Sequence, residues 1–224
     1  MTGAELPGKL RGFRGALFDL DGVLADSLWV WYPICRNWLK AQGRKAEPGL
    51  EERIAPMTVE QSAEYVRRAY RIDLSPGDII KQWEGMALDQ YRDGIALKEE
   101  NAAIVLELFR MGLKLALVSS CFPAACEAFL DRQGMRRWFS ALVYTGEAGG
   151  DKSQSGVWLE AARRLRVKPE DCVVFEDSPY SLPGVRAAGM AFTAVYDPSC
   201  KDWETFSAKA DFSLAAAPNI GVFY

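Results

Sequence analysis

Residues 15–27 read GALFDLDGVLADS. An apolar run of four closes on two aspartates, Asp19 and Asp21, one residue apart, with Gly22 directly after. Gly15–Phe18 has the length and composition of a strand buried on both faces. Paired acids at the end of such a strand need a reason, because like charges held close repel. Four further apolar runs of the same kind follow: Lys114–Val118, Ala141–Tyr144, Cys172–Phe175 and Ala191–Val195, with Phe212–Leu214 as a possible last edge strand. Between them lie helical patterns with recognisable stops: Pro123–Gln133 before Gly134, Gly156–Arg166 before Lys168-Pro169, and Pro179–Ala188 before Gly189. Alternating strand and helix predicts an α/β fold, a doubly wound Rossmann-like parallel sheet with helices on both faces.

One connection breaks the alternation. Roughly ninety residues separate the first strand from the second, far more than the dozen or so a crossover needs. They carry helices of their own. Ser27–Gln42 puts Leu28, Trp31, Cys35, Trp38 and Leu39 on one face; Thr58 and Gln61 form a capping box ahead of Val59, Ala63, Val66 and Tyr70; Ser75-Pro76 opens a helix bearing Ile79, Ile80, Trp83, Met86 and Ala87. The expected organisation is a core of residues 1–26 and 95–224 with an inserted helical lid, residues 27–94. The aromatic faces of the insertion are expected to be packing surfaces.

Ligands of open parallel sheets bind beyond the carboxyl ends of the strands. The residues expected there are Asp19 and Asp21 after the first strand, Ser119 and Ser120 after the second, Lys152 beyond the third, and Glu176 and Asp177 after the fourth. Each alone has a plain structural reading: a turn for Asp19-x-Asp21-Gly22, a helix cap for Ser119-Ser120, a surface lysine, acids favouring a helix N-terminus. Their joint placement at successive strand ends is what points to chemistry. So many carboxylates call for a hard divalent cation, and an all-oxygen donor set suits Mg2+ holding a substrate phosphate better than zinc. An ordinary aspartate is already ionised at neutral pH, so Asp19 can attack phosphorus without a base to activate it. Lys152 would neutralise the phosphate, Ser119 and backbone amides would hold its oxygens, and Asp21 could act as acid and then base.

Composition narrows the classes. The 224 residues contain no histidine, which removes Ser-His-Asp, Cys-His and histidine–zinc chemistry. With 49% hydrophobic and 25% charged residues the chain reads as a globular protein, and a formal charge of −3 gives no general attraction to nucleic acid or anionic lipid. No run is long enough for a membrane span, and residues 1–15 lack the apolar core of a secretory signal. Five cysteines without CxxC spacing fit a reducing compartment, so the expectation is a cytoplasmic protein with no nucleic-acid or membrane partner. Its oligomeric state is open, with a monomer favoured. Cys121 has two readings, a redox-sensitive thiol near a helix N-terminus or a small residue in a tight loop.

Four segments, FDLDGVLADS, LALVSS, the Lys152 loop and VVFEDSPYSLPGVRAAGM, resemble the haloacid dehalogenase superfamily, in the branch that holds β-phosphoglucomutase and phosphoglycolate phosphatase. The resemblance covers nearly the whole chain. It implies a nucleophile at Asp19, an acid/base at Asp21, phosphate contacts from Gly22, Ser119, Ser120 and Lys152, and Mg2+ among Asp19, the carbonyl of Asp21, Glu176 and Asp177. It also implies a mobile cap with hinges near Ala25–Leu28 and Gly94–Leu97 and a specificity loop at Ala55–Thr58. Trp31, Met57 and Thr58 of the insertion point to a pocket of mixed polarity without identifying the substrate. The activity implied is hydrolysis of a small phosphomonoester through an aspartyl-phosphate.

The sequence departs from the family pattern at two places. Ser153-Gln154-Ser155 stands where relatives keep Pro-x-Pro after the lysine, which predicts a less pre-organised Lys152. The cap histidine shared by the mutases is absent, which favours hydrolysis over phosphoryl shuttling. No lysine lies between Lys45 and Lys81 to serve as the phosphonatase Schiff base, and the dehalogenases lack an acid matching Asp21. A sugar-phosphate mutase and a non-catalytic phosphate sensor are the alternatives.

Overall fold

The computed structural model describes residues 5–54, 57, 59–148 and 150–215. The chain divides into two compact units, one of Met1–Asp26 with Ala96–Tyr224, the other Ser27–Ile95.

In chain order the elements are α1 (Leu6–Lys9), β1 (Gly15–Phe18) and β2 (Ala25–Asp26), then α2 (Leu28–Ala41), α3 (Leu50–Ile54), α4 (Val59–Ala69) and α5 (Pro76–Asp93) of the inserted unit. The first unit resumes with β3 (Ala96–Leu97), α6 (Glu99–Arg110), β4 (Lys114–Ser119), α7 (Pro123–Arg132), β5 (Phe139–Tyr144), α8 (Thr145–Ala148) and α9 (Ser155–Leu165). It closes with β6 (Cys172–Glu176), α10 (Leu182–Ala187), β7 (Ala191–Val195), α11 (Trp203–Ala208) and β8 (Phe212–Leu214).

The first unit is an α/β fold around a six-stranded sheet of order β5-β4-β1-β6-β7-β8, every pair parallel. β1 lies in the middle because it is apolar on both faces: all four of its residues are buried. On one side Leu17, Val118 and Val174 pack with Trp158, Ala161 and Leu165 of α9 in one apolar cluster. Removing that much apolar surface from water, at about 25 cal/mol per Å2, is the main force holding sheet to helix. The chain leaves and re-enters this unit through β2 and β3, which pair antiparallel.

Two readings from sequence change here. The pattern over Pro179–Ala188 splits into a 3-10 turn, Pro179–Ser181, and α10, because Pro183 has no N–H to continue an α-helix through that turn. Helix α6, twelve residues long, is not among the expected elements, although Ala102, Ile104, Val105 and Leu108 form its buried stripe and Glu99 and Glu100 suit its first turn.

In the inserted unit α2 runs through Pro33 and buries Val30, Ile34, Cys35, Trp38 and Leu39. Trp38 meets Trp83 of α5 edge to face at 5.8 Å, and its indole N–H donates to Gln82 Oε1 at 2.7 Å. Ser75 caps α5, accepting from the Asp78 amide at 3.1 Å, and Pro76 takes the first helical turn. The side chain of Trp31, the cap residue Thr58 and, apart from Met57, the stretch Ala55–Thr58 lie outside the described residues. Among the described residues no helix is long and apolar enough to cross a membrane.

Candidate active site

The register of the central strands builds the site. β1 and β6 pair with Phe18 opposite Phe175, and those rings stack at 4.2 Å, so the next residues, Asp19 and Glu176, emerge side by side at the carboxyl edge. The Asp19 amide continues the ladder, donating to Phe175 O at 3.0 Å. On the other side of β1, Ser119 ends β4. Asp177 follows β6 directly, and Lys152 comes from the loop between α8 and α9.

Carboxylate oxygens of Asp19, Glu176 and Asp177 all lie within 4.8 Å of one another. Lys152 Nζ reaches into them, 2.5 Å from Asp19 Oδ1 and 2.9 Å from Glu176 Oε1. Asp19, Glu176 and Lys152 are buried, and Asp177 is partly so. Glu176 is fixed at both ends, since its Oε2 accepts from the Ser178 amide at 2.9 Å. One cation against three acids leaves the cluster overcharged: each ionised pair at that spacing costs at least about 3 kcal/mol at an effective dielectric near 20. Burial, then the charges of Glu176 and Asp21, push the Asp19 carboxyl up to about 8 against the opposing pull of Lys152. Burial, then Glu176 and Asp19, likewise raise Asp177 well above its ordinary value. Burial alone would lower Lys152, but Asp19 and Glu176 hold it above its ordinary value. An all-oxygen donor set carrying surplus negative charge fits a hard divalent cation.

The Lys152 loop is pinned without the two prolines. Asp151 Oδ1 accepts from the Ser153 amide at 2.7 Å and from its hydroxyl, closing a tight turn. The Trp158 indole donates to Lys152 O at 2.9 Å. Gly184 lets the loop approach α10: a Cβ there would stand 2.3 Å from Lys152 O and 2.7 Å from Gln154 O. Trp158 and Gly184 are the residues that sequence reasoning missed here. The only signal for Gly184 is a glycine inside a helical pattern.

Asp21 and Gly22 sit in a tight turn after Asp19. Gly22 has φ +75°, a conformation that costs other residues strain, and its amide donates to Ala25 O at 2.9 Å. Asp21 is outside the carboxylate group but near enough for its charge to raise Asp19. Three further residues hold this turn. Lys98 Nζ donates to Gly22 O at 2.5 Å and to the buried Asp197 at 2.7 Å, and Asn101 Nδ2 donates to Val23 O at 2.7 Å. Ser119 is fully buried and its hydroxyl accepts from the Cys121 amide at 3.0 Å. That corrects the capping reading: the cap position of α7 is Phe122, with no side-chain cap. Ser120 is exposed, and Cys121 is a buried thiol outside any disulfide.

Comparison with known proteins gives a consistent result. The chain is 33% identical over 209 residues to a glyceraldehyde 3-phosphate phosphatase of Methanopyrus kandleri, covering 85% of this chain and 87% of that protein. It is 28% identical over 180 residues to a bifunctional riboflavin kinase/FMN phosphatase of Arabidopsis thaliana, covering 80% of this chain but 46% of the plant protein, so the chain spans about half that relative's length. In fold it is similar to the crystal structure of CbbY from Rhodobacter sphaeroides in complex with phosphate, with a TM-score of 0.79 and 23% identity over 90% of this chain and 93% of that one. Residues 16–195 match the haloacid dehalogenase-like hydrolase family, and the chain belongs to it.

Proposed function

We propose that this chain is a magnesium-dependent phosphatase acting on a small phosphorylated metabolite through an aspartyl-phosphate on Asp19. The observation that carries the reading is the group formed by Asp19, Glu176, Asp177 and Lys152 at the carboxyl ends of the two central strands. Asp19, Glu176 and Asp177 offer the oxygens to hold the ion, and the Asp21 carbonyl is proposed as a further ligand. The bound ion would supply positive charge against the phosphate and the nucleophile together.

The chain's own residues then divide the work. The buried cluster raises the Asp19 carboxyl to about 8, against the expectation of an ordinary aspartate, so the bound cation would be needed to hold it ionised; its oxygen then forms the new bond to phosphorus as the ester oxygen leaves. Asp21, in the tight turn directly after Asp19, donates a proton to that oxygen and later takes one from the attacking water. Lys152, held by Asp19 and Glu176, balances charge on the phosphate oxygens, and Ser119 with the loop amides orients them. The unit Ser27–Ile95, which begins a few residues after Asp21, is proposed as the cap that selects the organic part of the substrate. Two relatives named as phosphatases of phosphorylated small molecules support the class of substrate.

Release of inorganic phosphate from a panel of phosphomonoesters, with and without Mg2+, tests this. The expected result is metal-dependent hydrolysis of at least one member. A phosphorylated isomer accumulating in place of free phosphate would make the chain a mutase, and binding of a phosphate mimic without turnover on any member would make it a sensor.

A further inference from the structure

The opposite pole of the sheet carries a second concentration of charge. A cavity of about 770 Å3 opens at the amino ends of β1, β4 and β6, lined by Arg11, Arg14, Lys114, Arg166 and Lys168 with Asp171 as the single acid. In a protein of formal charge −3, five cations to one carboxylate around one concavity is a local reversal of sign. Arg14 directly precedes β1 and Asp19 directly follows it, so the two poles stand about 16 Å apart at the usual rise of a strand.

Three of these five cations are not spent on the fold. Arg11, Arg14 and Arg166 are exposed, and their side chains have no hydrogen-bond or ion-pair partner among the described residues. Lys168 stands 3.9 Å from exposed Glu170, a loose pair, while Lys114 donates to Leu165 O at 2.9 Å. Arg166 also holds the left-handed conformation that ends α9, φ 54° and ψ 48°, where glycine is the inexpensive residue. At this helix end a left-handed backbone and the repulsion of neighbouring cations fall on the same residue. The floor is apolar: Phe13, Met111 and Val167 are half-buried beside buried Leu113. Such a mix of convergent charge and apolar lining, at this volume, is what a small-molecule site has.

We propose that this cavity binds a small molecule carrying two or more phosphate groups on an apolar or aromatic body, at a site separate from the carboxylate cluster. Arginines there would take the phosphate oxygens in charge-assisted pairs while Phe13, Met111 and Val167 receive the body.

The test is calorimetric titration of the full chain with α,β-methylene-ADP, which resists hydrolysis, in EDTA, so that no cation draws the phosphates to the acidic pole. One molecule is expected to bind per chain. Arg14→Glu and Arg166→Gly should each weaken it about tenfold, the loss of one charge-assisted contact. Arg166→Gly removes the charge while relieving the left-handed backbone, so its melting midpoint should not fall and a folding defect is excluded. Asp19→Asn should leave the affinity unchanged. Absence of saturable binding, or binding lost in Asp19→Asn and kept in the arginine variants, would overturn the proposal. So would tighter binding of a short DNA duplex abolished by the same two substitutions, which would make the patch a nucleic-acid surface.

Discussion

Gly184→Ala, far from Asp19 in sequence, should disable the site through one methyl group. The added Cβ would lie 2.3 Å from Lys152 O and 2.7 Å from Ser153 C, both backbone atoms that cannot swing aside as a side-chain end can. Restoring ordinary contact requires the loop to retreat by about 1 Å. Lys152 Nζ now lies 2.5 Å from Asp19 Oδ1 and 2.9 Å from Glu176 Oε1. Lengthening both separations by about 1 Å at an effective dielectric near 20 forfeits roughly 3 kcal/mol of attraction, which corresponds to about a hundredfold in kcat/KM. Overpacking also costs about 1–3 kcal/mol of stability, so a lower melting midpoint is expected too. Phosphate-release kinetics at saturating Mg2+, read beside thermal unfolding, measures both. Trp158→Phe removes the donor to Lys152 O together with one ring of the buried indole; it should lose at least the roughly fivefold of one neutral hydrogen bond and melt lower because of the void. Full activity in both variants would refute the claim that these contacts hold Lys152 in place.

Lys98→Met should destabilise the protein by about 3 kcal/mol, because it leaves the buried Asp197 carboxylate without its cation, and it should lower kcat through the Gly22 turn. Burial opposes ionisation of Asp197, but Lys98 and Ser199 outweigh it and hold the carboxyl below its ordinary value. The stability due to the pair is therefore complete above the unfolded carboxylate range and lost as pH falls through the folded one, so wild type and Lys98→Met should converge below about pH 4 in a melting series. A gap that widens in acid would refute this assignment. Burial lifts the Cys35 and Cys172 thiols to about 12, so neither forms thiolate at pH 8 and neither should be alkylated by iodoacetamide in the native protein; mass spectrometry showing rapid labelling of Cys172 would contradict the packing around it.

The sheet was legible because its signals are local. Five of the six strands are short, continuous apolar runs, and Gly134 and Gly189 stand with positive φ at the helix ends where the sequence puts stops. β5 begins at Phe139, two residues before the expected Ala141, because exposed Ser140 interrupts the apolar run that marks it. The acidic residues of the site were legible for a topological reason: parallel strands bring their carboxyl ends to one edge, so residues just past the ends of adjacent strands become neighbours in space. The contacts that hold those residues were not legible. Lys98 meets Gly22 across 76 positions and Asp197 across 99, and Gly184 meets Lys152 through a backbone contact with no compositional mark. The substitution of Ser153-Gln154-Ser155 for prolines read as lost order, yet the turn on Asp151 and the Trp158 indole replace that restraint by hydrogen bonds. Long-range pairs of this kind leave no periodicity in one sequence.

The most direct measurement of the central claim is chemical trapping on the nucleophile. The protein is mixed with a phosphomonoester that it hydrolyses, quenched in acid during the first turnovers, digested and read by mass spectrometry. The account predicts a phosphoryl group on the peptide containing Asp19, and neither that peptide nor phosphate release in Asp19→Asn. Turnover with no phosphorylated peptide, or phosphate release that persists in Asp19→Asn, would contradict it.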